Sequence, residues 1–413
     1  MAVRVVGLIS GTSMDGIDVA VADLHASAGL AELTPVGDLE LGYPDHLRAA
    51  LLTALPPAAT TAEQLTELDT LVGQAFAEAA RQALDRFGPA DLVSSLGQTV
   101  FHWVEGGHAM GTLQLGQPAW IAERTGLPVI SDLRARDVAA GGQGAPLAGT
   151  LDRLWLRDLA ERTGHPVIAL NIGGIANVTV VEPGGHTIAY DTGPGNALLD
   201  LAARQVTGQP SDLDGTIAAK GRVCEELLAR LLAEPYYRAE PPKSTGKELF
   251  HAGYLRKATD GLAPRPEDLL ATLTELTAQT IGEACSRHHA RTEVASGGGV
   301  RNPTLMHALA EHLGNTRLAT SSEFGLPTGA KEAYLTALLG WLTWHGVPAN
   351  VPSATGARAP RLLGSITPGA GPLTLPAPHT TPVTRLRVDG GGPRACPRAG
   401  SRGRTPRAHS QGE

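Results

Sequence analysis

Hydrophobic and small polar positions alternate sharply at the start of the chain. Val5-Val6-Gly7-Leu8-Ile9 runs into Ser10-Gly11-Thr12-Ser13-Met14-Asp15-Gly16, and Ile17-Asp18-Val19-Ala20-Val21 follows. This pattern predicts a strand, a tight turn and a returning strand over residues 3–23. Thr61-Ala62-Glu63-Gln64 reads as a capping box, after which apolar residues from Leu65 to Phe87 recur at helical spacing until Gly88. Short apolar runs at 92–96, 112–115 and 127–131 read as strands, with a short helix from Pro118 between the last two. The Gly-rich stretch 139–146 then leads into another helix. A second cycle begins at Pro166-Val167-Ile168-Ala169-Leu170-Asn171, turns at Ile172-Gly173-Gly174-Ile175 and returns over 176–181. Ser296-Gly297-Gly298-Gly299 ends a further strand, and Asn302-Pro303 supplies an N-cap and first-turn proline for the next helix. Lys331–Trp344 is the last strong helical pattern.

Composition narrows the class. The 413 residues are 42% hydrophobic and 18% charged, which suits two or three globular domains, while 50 Gly and 30 Pro imply many turns. The net charge of −7 conceals a basic tail: from Gly371 onward there are seven Arg, no Lys and only Asp389 and Glu413 as acids. The body up to residue 370 therefore carries 27 basic against 39 acidic residues, a poor match to nucleic acid. Cys224, Cys285 and Cys396 form no CxxC pair, which argues against structural zinc and a disulfide framework. No apolar run is long enough for a signal peptide or a membrane span, so a cytoplasmic protein is expected. Residues 371–413 lack periodicity and are expected to be disordered.

The chemistry concentrates in the turns. In the first turn, Ser10, Thr12 and Ser13 and the backbone amides could converge on a phosphate, with Gly11 and Gly16 permitting the bend. Asp15 and Asp18 are placed to hold Mg²⁺ through its waters; the plainer alternative is an ordinary polar hairpin. Two such hairpins and a GGG turn suggest a nucleotide gripped between two α/β lobes. Neither a GxxxxGK[ST] loop nor a GxGxxG fingerprint is present, so the pattern favours the actin, hexokinase and Hsp70 superfamily. Asp191, in Asp191-Thr192-Gly193-Pro194-Gly195-Asn196, ends a strand before a helix, where it could serve as a general base or merely stabilise a turn. Arg134 could clamp an anion or sit in a surface ion pair. His102 and His108 are given no catalytic role.

Together these segments closely resemble the anhydro-N-acetylmuramic acid kinase family. The matching stretches are SGTSMDGID (Ser10–Asp18), GQTVFH (Gly97–His102), LQLG (Leu113–Gly116), RARDVAAGGQGAPL (Arg134–Leu147), LNIGGIANVT (Leu170–Thr179) and DTGPGN (Asp191–Asn196). PPKSTGKELF (Pro241–Phe250), SGGGVRNPTLM (Ser296–Met306), AKEAYLTALLG (Ala330–Gly340), TGA (Thr355–Ala357) and LLGSITP (Leu362–Pro368) complete the series. The resemblance implies an α/β, two-lobed actin/hexokinase/Hsp70-like (ribonuclease H-like) fold with a central nucleotide cleft. Residues 1–138 plus 345–370 would form one lobe and 139–344 the other.

The implied reaction hydrolyses the 1,6-anhydro ring of the amino sugar and passes the ATP γ-phosphoryl group to O6, in peptidoglycan recycling. By the same likeness Asp191 is the catalytic base. Gly11, Thr12, Ser13, Met14, Asp15, Gly16, Ile17, Asp18, Gly173, Gly174, Gly297, Gly298 and Gly299 would hold ATP, with Asp15 and Asp18 holding Mg²⁺. Gln98, Thr99, Arg134 and Glu332 would bind the sugar, and a homodimer is suggested. Gly329 stands where the family more often has an acid, and Thr336 where it often has Phe. The alternatives are another sugar or carboxylate kinase of the superfamily, or an ATP-driven clamp.

Overall fold

The opening apolar run becomes strand β1 (Val3–Ser10), buried on both faces. Val5 and Ile9 enter one core while Val6 and Leu8 enter another, which is why it reads as a nearly continuous hydrophobic stretch. The structure is a computed structural model that describes residues 2–11, 14–55, 58–241, 243–246 and 249–390.

After β1 come β2 (Gly16–Ser27), β3 (Leu30–Gly42), α1 (Asp45–Thr53), α2 (Ala62–Phe87), β4 (Leu92–Glu105), β5 (His108–Leu115), α3 (Pro118–Thr125) and β6 (Val129–Ser131). The Thr61 capping box that starts α2 is formed as expected. In the first sheet the strands run β3-β2-β1-β4-β6, with β4 and β6 parallel to their inner neighbours and β1–β2–β3 antiparallel.

Helices α4 (Ala135–Ala139) and α5 (Ala148–Thr163) lead to β7 (Val167–Ile172), β8 (Ile175–Val181) and β9 (Thr187–Pro194). Four helices follow: α6 (Ala197–Thr207), α7 (Glu225–Leu232), α8 (Ala252–Thr259) and α9 (Pro266–Ser286). Then come β10 (Thr292–Ser296), α10 (Pro303–Leu313) and β11 (Arg317–Thr320). The second sheet runs β9-β8-β7-β10-β11 with the same pattern of parallel and antiparallel pairs as the first. One topology occurs twice, and this duplication is the two-lobed actin/hexokinase/Hsp70-like architecture.

Helices α11 (Lys331–Trp344) and α12 (Pro352–Thr355) precede β12 (Ser365–Thr367) and β13 (Arg385–Val388). One large core joins α5 and α11 to the inner faces of both sheets. Separate clusters fill the outer side of each sheet, under α2 in the first and under α9 and α10 in the second. Burial on every side explains why α11 is apolar almost all round.

Two expectations change here. Helix α11, assigned from sequence to the second lobe, packs on β1, β2 and β4 of the first, because its small residues let those strands approach closely. The segment after Gly371 is not structureless throughout: β13 pairs with β3, buries Leu386, and pairs Arg385 with Asp158 and Glu161 of α5. An isolated four-residue strand leaves little periodic signal, and its partner edge lies far away in sequence. Residues 391–413 lie outside the described residues. No helix among the described residues is long and apolar enough to cross a membrane.

Candidate active site

The first wall is the β1–β2 turn. Met14 takes a left-handed φ of 53° and its amide donates to the Gly11 carbonyl at 3.2 Å. Met14 and Ile17 bury their side chains in the outer core of this lobe, so only their backbones can meet a ligand. Thr12 and Ser13, named as phosphate contacts, lie outside the described residues. Beneath the turn sits Gln98. It is completely buried, its Oε1 accepts from the Ser10 hydroxyl at 2.7 Å, and its Nε2 donates to the Gly11 and Thr99 carbonyls. This geometry makes Gln98 a brace for the turn.

Asp18 faces the other way. Paired with Ile9 and Glu40, it lies on the sheet face covered by α11. Burial raises its carboxyl to about 7, helped by Glu40, Glu332 and Asp15 and opposed by Arg301 from the second lobe. The influence of a second-lobe arginine on a first-lobe carboxyl marks the two walls as facing one another.

The second wall is a row of polar residues across the second sheet. Register aligns Ser296 of β10, Asn171 of β7, Asn177 of β8 and Asp191 of β9 side by side. All four lie on one face, since cross-strand partners share a side. The neighbouring row on that face is Val294, Ala169, Thr179 and Ala189, with Val294 and Ala169 in the shared core. Asn171 lines a small pocket, with room for about one water, together with Ala148, Leu151, Lys331, Glu332 and Leu335. Thus Asp191 sits on the pocket side, one strand beyond Asn177. A bulge next to this pair inserts Thr192 and bends the strand into the DTGPGN turn. The Asn196 and Gly195 amides then donate to the Gly173 and Gly174 carbonyls at 2.8 and 2.9 Å, locking that turn to the second hairpin.

The GGG turn closes this wall. Gly297 has φ of 88°, and a Cβ there would stand 2.7 Å from Asn171 Oδ1. Its amide donates to the Thr328 carbonyl just before α11. Asn302 caps α10 through the Leu305 amide, as expected from its pairing with Pro303.

Glu332, in the first turn of α11, forms the floor. It is solvent-accessible although protein surrounds it, which is the environment of a cleft bottom. Burial raises its carboxyl, while Lys331 and Arg134 pull it down. Arg134 is lowered by burial, against the opposing effect of Glu332 and Asp137, and its Nη1 donates to the Gly144 carbonyl at 2.7 Å. Thr99 accepts from Gln114 Nε2 at 3.2 Å. Asp137 is fully buried and receives the Gly144 amide, Asn350 Nδ2 and the Thr355 hydroxyl, so it holds the GGQGAP loop against the TGA segment.

Residues 3–369 match the family profile of anhydro-N-acetylmuramic acid kinase. A Streptomyces coelicolor protein of that name is 54% identical over 94% of this chain and 100% of its own length. The chain belongs to the anhydro-N-acetylmuramic acid kinase family. A Rhodococcus erythropolis member is 52% identical over 89% of this chain and 94% of its own, and one from Gloeobacter violaceus is 42% identical over 88% and 98%.

Several residues of this family member escaped the sequence reading. Asn177 joins the polar row only through strand register. Lys331 is buried and paired with Asp152 of α5 at 2.6 Å. His102, given no catalytic role from sequence, lies half-buried on β4, where burial and Arg134 lower its imidazole. Thr245 donates its amide to Asp191 Oδ2 at 2.9 Å. The PPKSTG motif pointed to that loop, but spacing alone does not show which side it covers.

Proposed function

We propose that the protein cleaves the 1,6-anhydro ring of anhydro-N-acetylmuramic acid with water and phosphorylates O6 from ATP, yielding N-acetylmuramate 6-phosphate and ADP. The observation that carries this reading is the position of Asp191 on the pocket face of the second sheet, held by the Thr245 amide. Asp191 takes a proton from water as the water oxygen bonds to the anomeric carbon. The C1–O6 bond breaks, O6 bonds to the γ-phosphorus, and the bridging oxygen leaves with ADP. Phosphoryl transfer thereby replaces the protonation that a glycosidase acid provides.

Arg134, Thr99 and Glu332 orient the sugar at the cleft floor. The first-turn backbone around Gly11, Asp15 and Gly16 and the paired turns at Gly173, Gly174 and Gly297–Gly299 receive the nucleotide. Closure of the lobes keeps bulk water from the γ-phosphoryl group.

Asp18 and Asp15 suit Mg²⁺. Among the described residues no three His, Cys, Asp or Glu side chains group to ligate a metal directly, but acidic crowding around Asp18 favours a hydrated dication. When bound, Mg²⁺ offsets phosphate charge. The substrate places the enzyme in the cytoplasmic recycling of cell-wall fragments, and neither nucleic acid nor membrane enters this reading.

Incubation with ATP, Mg²⁺ and the anhydro sugar should give the 6-phosphate, with little product from N-acetylmuramic acid or N-acetylglucosamine. Phosphorylation of an open-ring control but not the anhydro sugar would overturn the proposal. Asp191→Asn should retain ATP binding and lose nearly all turnover; substantial residual kcat would exclude it as the base.

A further inference from the structure

Asp191 is gripped from more directions than a turn residue requires. Its amide donates to the Lys243 carbonyl at 3.2 Å, its carbonyl accepts from the Tyr236 hydroxyl at 2.8 Å, and its Oδ2 accepts from the Thr245 amide. Residues 243–245 thus wrap around the edge of β9, from its backbone to its side chain.

Lys243 ties these contacts into a ring. Its Nζ donates to the Tyr236 and Tyr237 carbonyls at 3.1 and 3.3 Å and stands 4.7 Å from the centre of the Tyr236 ring. Tyr236 is fixed in turn by edge contacts with Tyr237 and Phe250. A cation that satisfies two carbonyls and lies over an aromatic face holds its stem more firmly than a solvated lysine. Burial lowers the Lys243 ammonium from its usual value, and Arg287 adds repulsion, so it pays a desolvation cost in this position.

We infer that Lys243 is a positioning residue: its ammonium locks the 243–245 strap onto Tyr236, so that the Thr245 amide aims the Asp191 carboxylate at the attacking water. This rests on Asp191 acting as the base. The Lys243 ammonium bonds the Tyr236 and Tyr237 carbonyls and so acts through the loop. The strap would matter to the chemical step and little to ground-state binding, because an aimed carboxylate does its work in the transition state.

The test compares K243M, K243Q, K243R, Y236F and D191N in the full chain, with ATP, Mg²⁺ and the anhydro sugar. K243M should lower kcat about 10–100-fold while KM for both substrates changes less than about threefold. K243R keeps the charge and the donors and should return kcat to within about threefold of wild type. Y236F leaves Lys243 in place and removes only the hydroxyl that anchors Asp191, and it should lose kcat about three- to tenfold. K243Q, which removes the charge and keeps a polar stem, should lose kcat as K243M does and carries the Lys243 test if K243M fails to fold. Wild-type kcat in K243M or K243Q, or equal losses in K243M and K243R, overturns the inference. If D191N is inactive in that same series, the base reading survives. If D191N retains turnover, the base reading itself falls.

Discussion

Gly195 lies so close to Gly173 that a Cβ on it would stand 2.3 Å from the Gly173 carbonyl oxygen. Backbone touches backbone there, and the amides of Gly195 and Asn196 use the contact to bond the second hairpin turn. The strand that carries Asp191 is thereby registered against a turn proposed to hold phosphate.

Gly195→Ala should therefore force the two turns apart. Overpacking of this kind costs about 1–3 kcal/mol, and both kcat and ATP affinity should fall together. Denaturant unfolding and nucleotide titration check this; an alanine variant with wild-type stability would mean that the turns are not rigidly joined.

Gln98→Leu separates a brace from a sugar contact. It removes one of two hydrogen-bond partners from the Ser10 hydroxyl, which keeps the Gly16 carbonyl, and from the Gly11 carbonyl, which keeps the Met14 amide, at a cost of about 0.5–1.5 kcal/mol. KM for ATP should rise more than KM for the anhydro sugar. The opposite order would return Gln98 to the sugar site.

Asp18 makes the protein's stability depend on pH. Its folded-state carboxyl stands at about 7, against an ordinary 3.8. The unfolded chain loses that proton first, so this contribution is intact below 3.8, declines as pH rises and is gone above about 7. Asp18→Asn removes the decline. Without ligand, the variant should gain unfolding free energy on wild type across that window, reaching on the order of 1–3 kcal/mol after solvent screening. A constant difference from acid to neutral pH would contradict the crowding. Saturating Mg²⁺ and ATP should stabilise wild type more than the variant.

Lys331 of α11 and Asp152 of α5 form a buried pair between the two helices of the shared core. Lys331→Met strands a carboxylate beside Glu332 and should cost about 3–5 kcal/mol, whereas Lys331→Met with Asp152→Asn should recover most of it. The double-mutant cycle measures the coupling, and additive effects would show the pair to be independent.

Much of this architecture was legible in the chain itself. The hairpins at residues 3–23 and 166–181 declare themselves by apolar runs around small-residue turns, and Thr61 and Asn302 announce their helices by capping chemistry, because these signals are local. Strand β3 and strand β13 were missed, since the first has one face largely open to polar residues and the second takes its meaning from a distant partner.

Sequence by itself carried the motifs that resemble the family, among them the acid of DTGPGN, and the duplicated strand–turn–strand cycle, because a motif is a property of neighbours along the chain. Tertiary structure alone decided that Gln98 is bonded to the first turn, that α11 packs on the first sheet and that Asp191 shares a face with Asn171. Each of those depends on strand register and burial, where residues far apart in sequence compete for one side of a sheet.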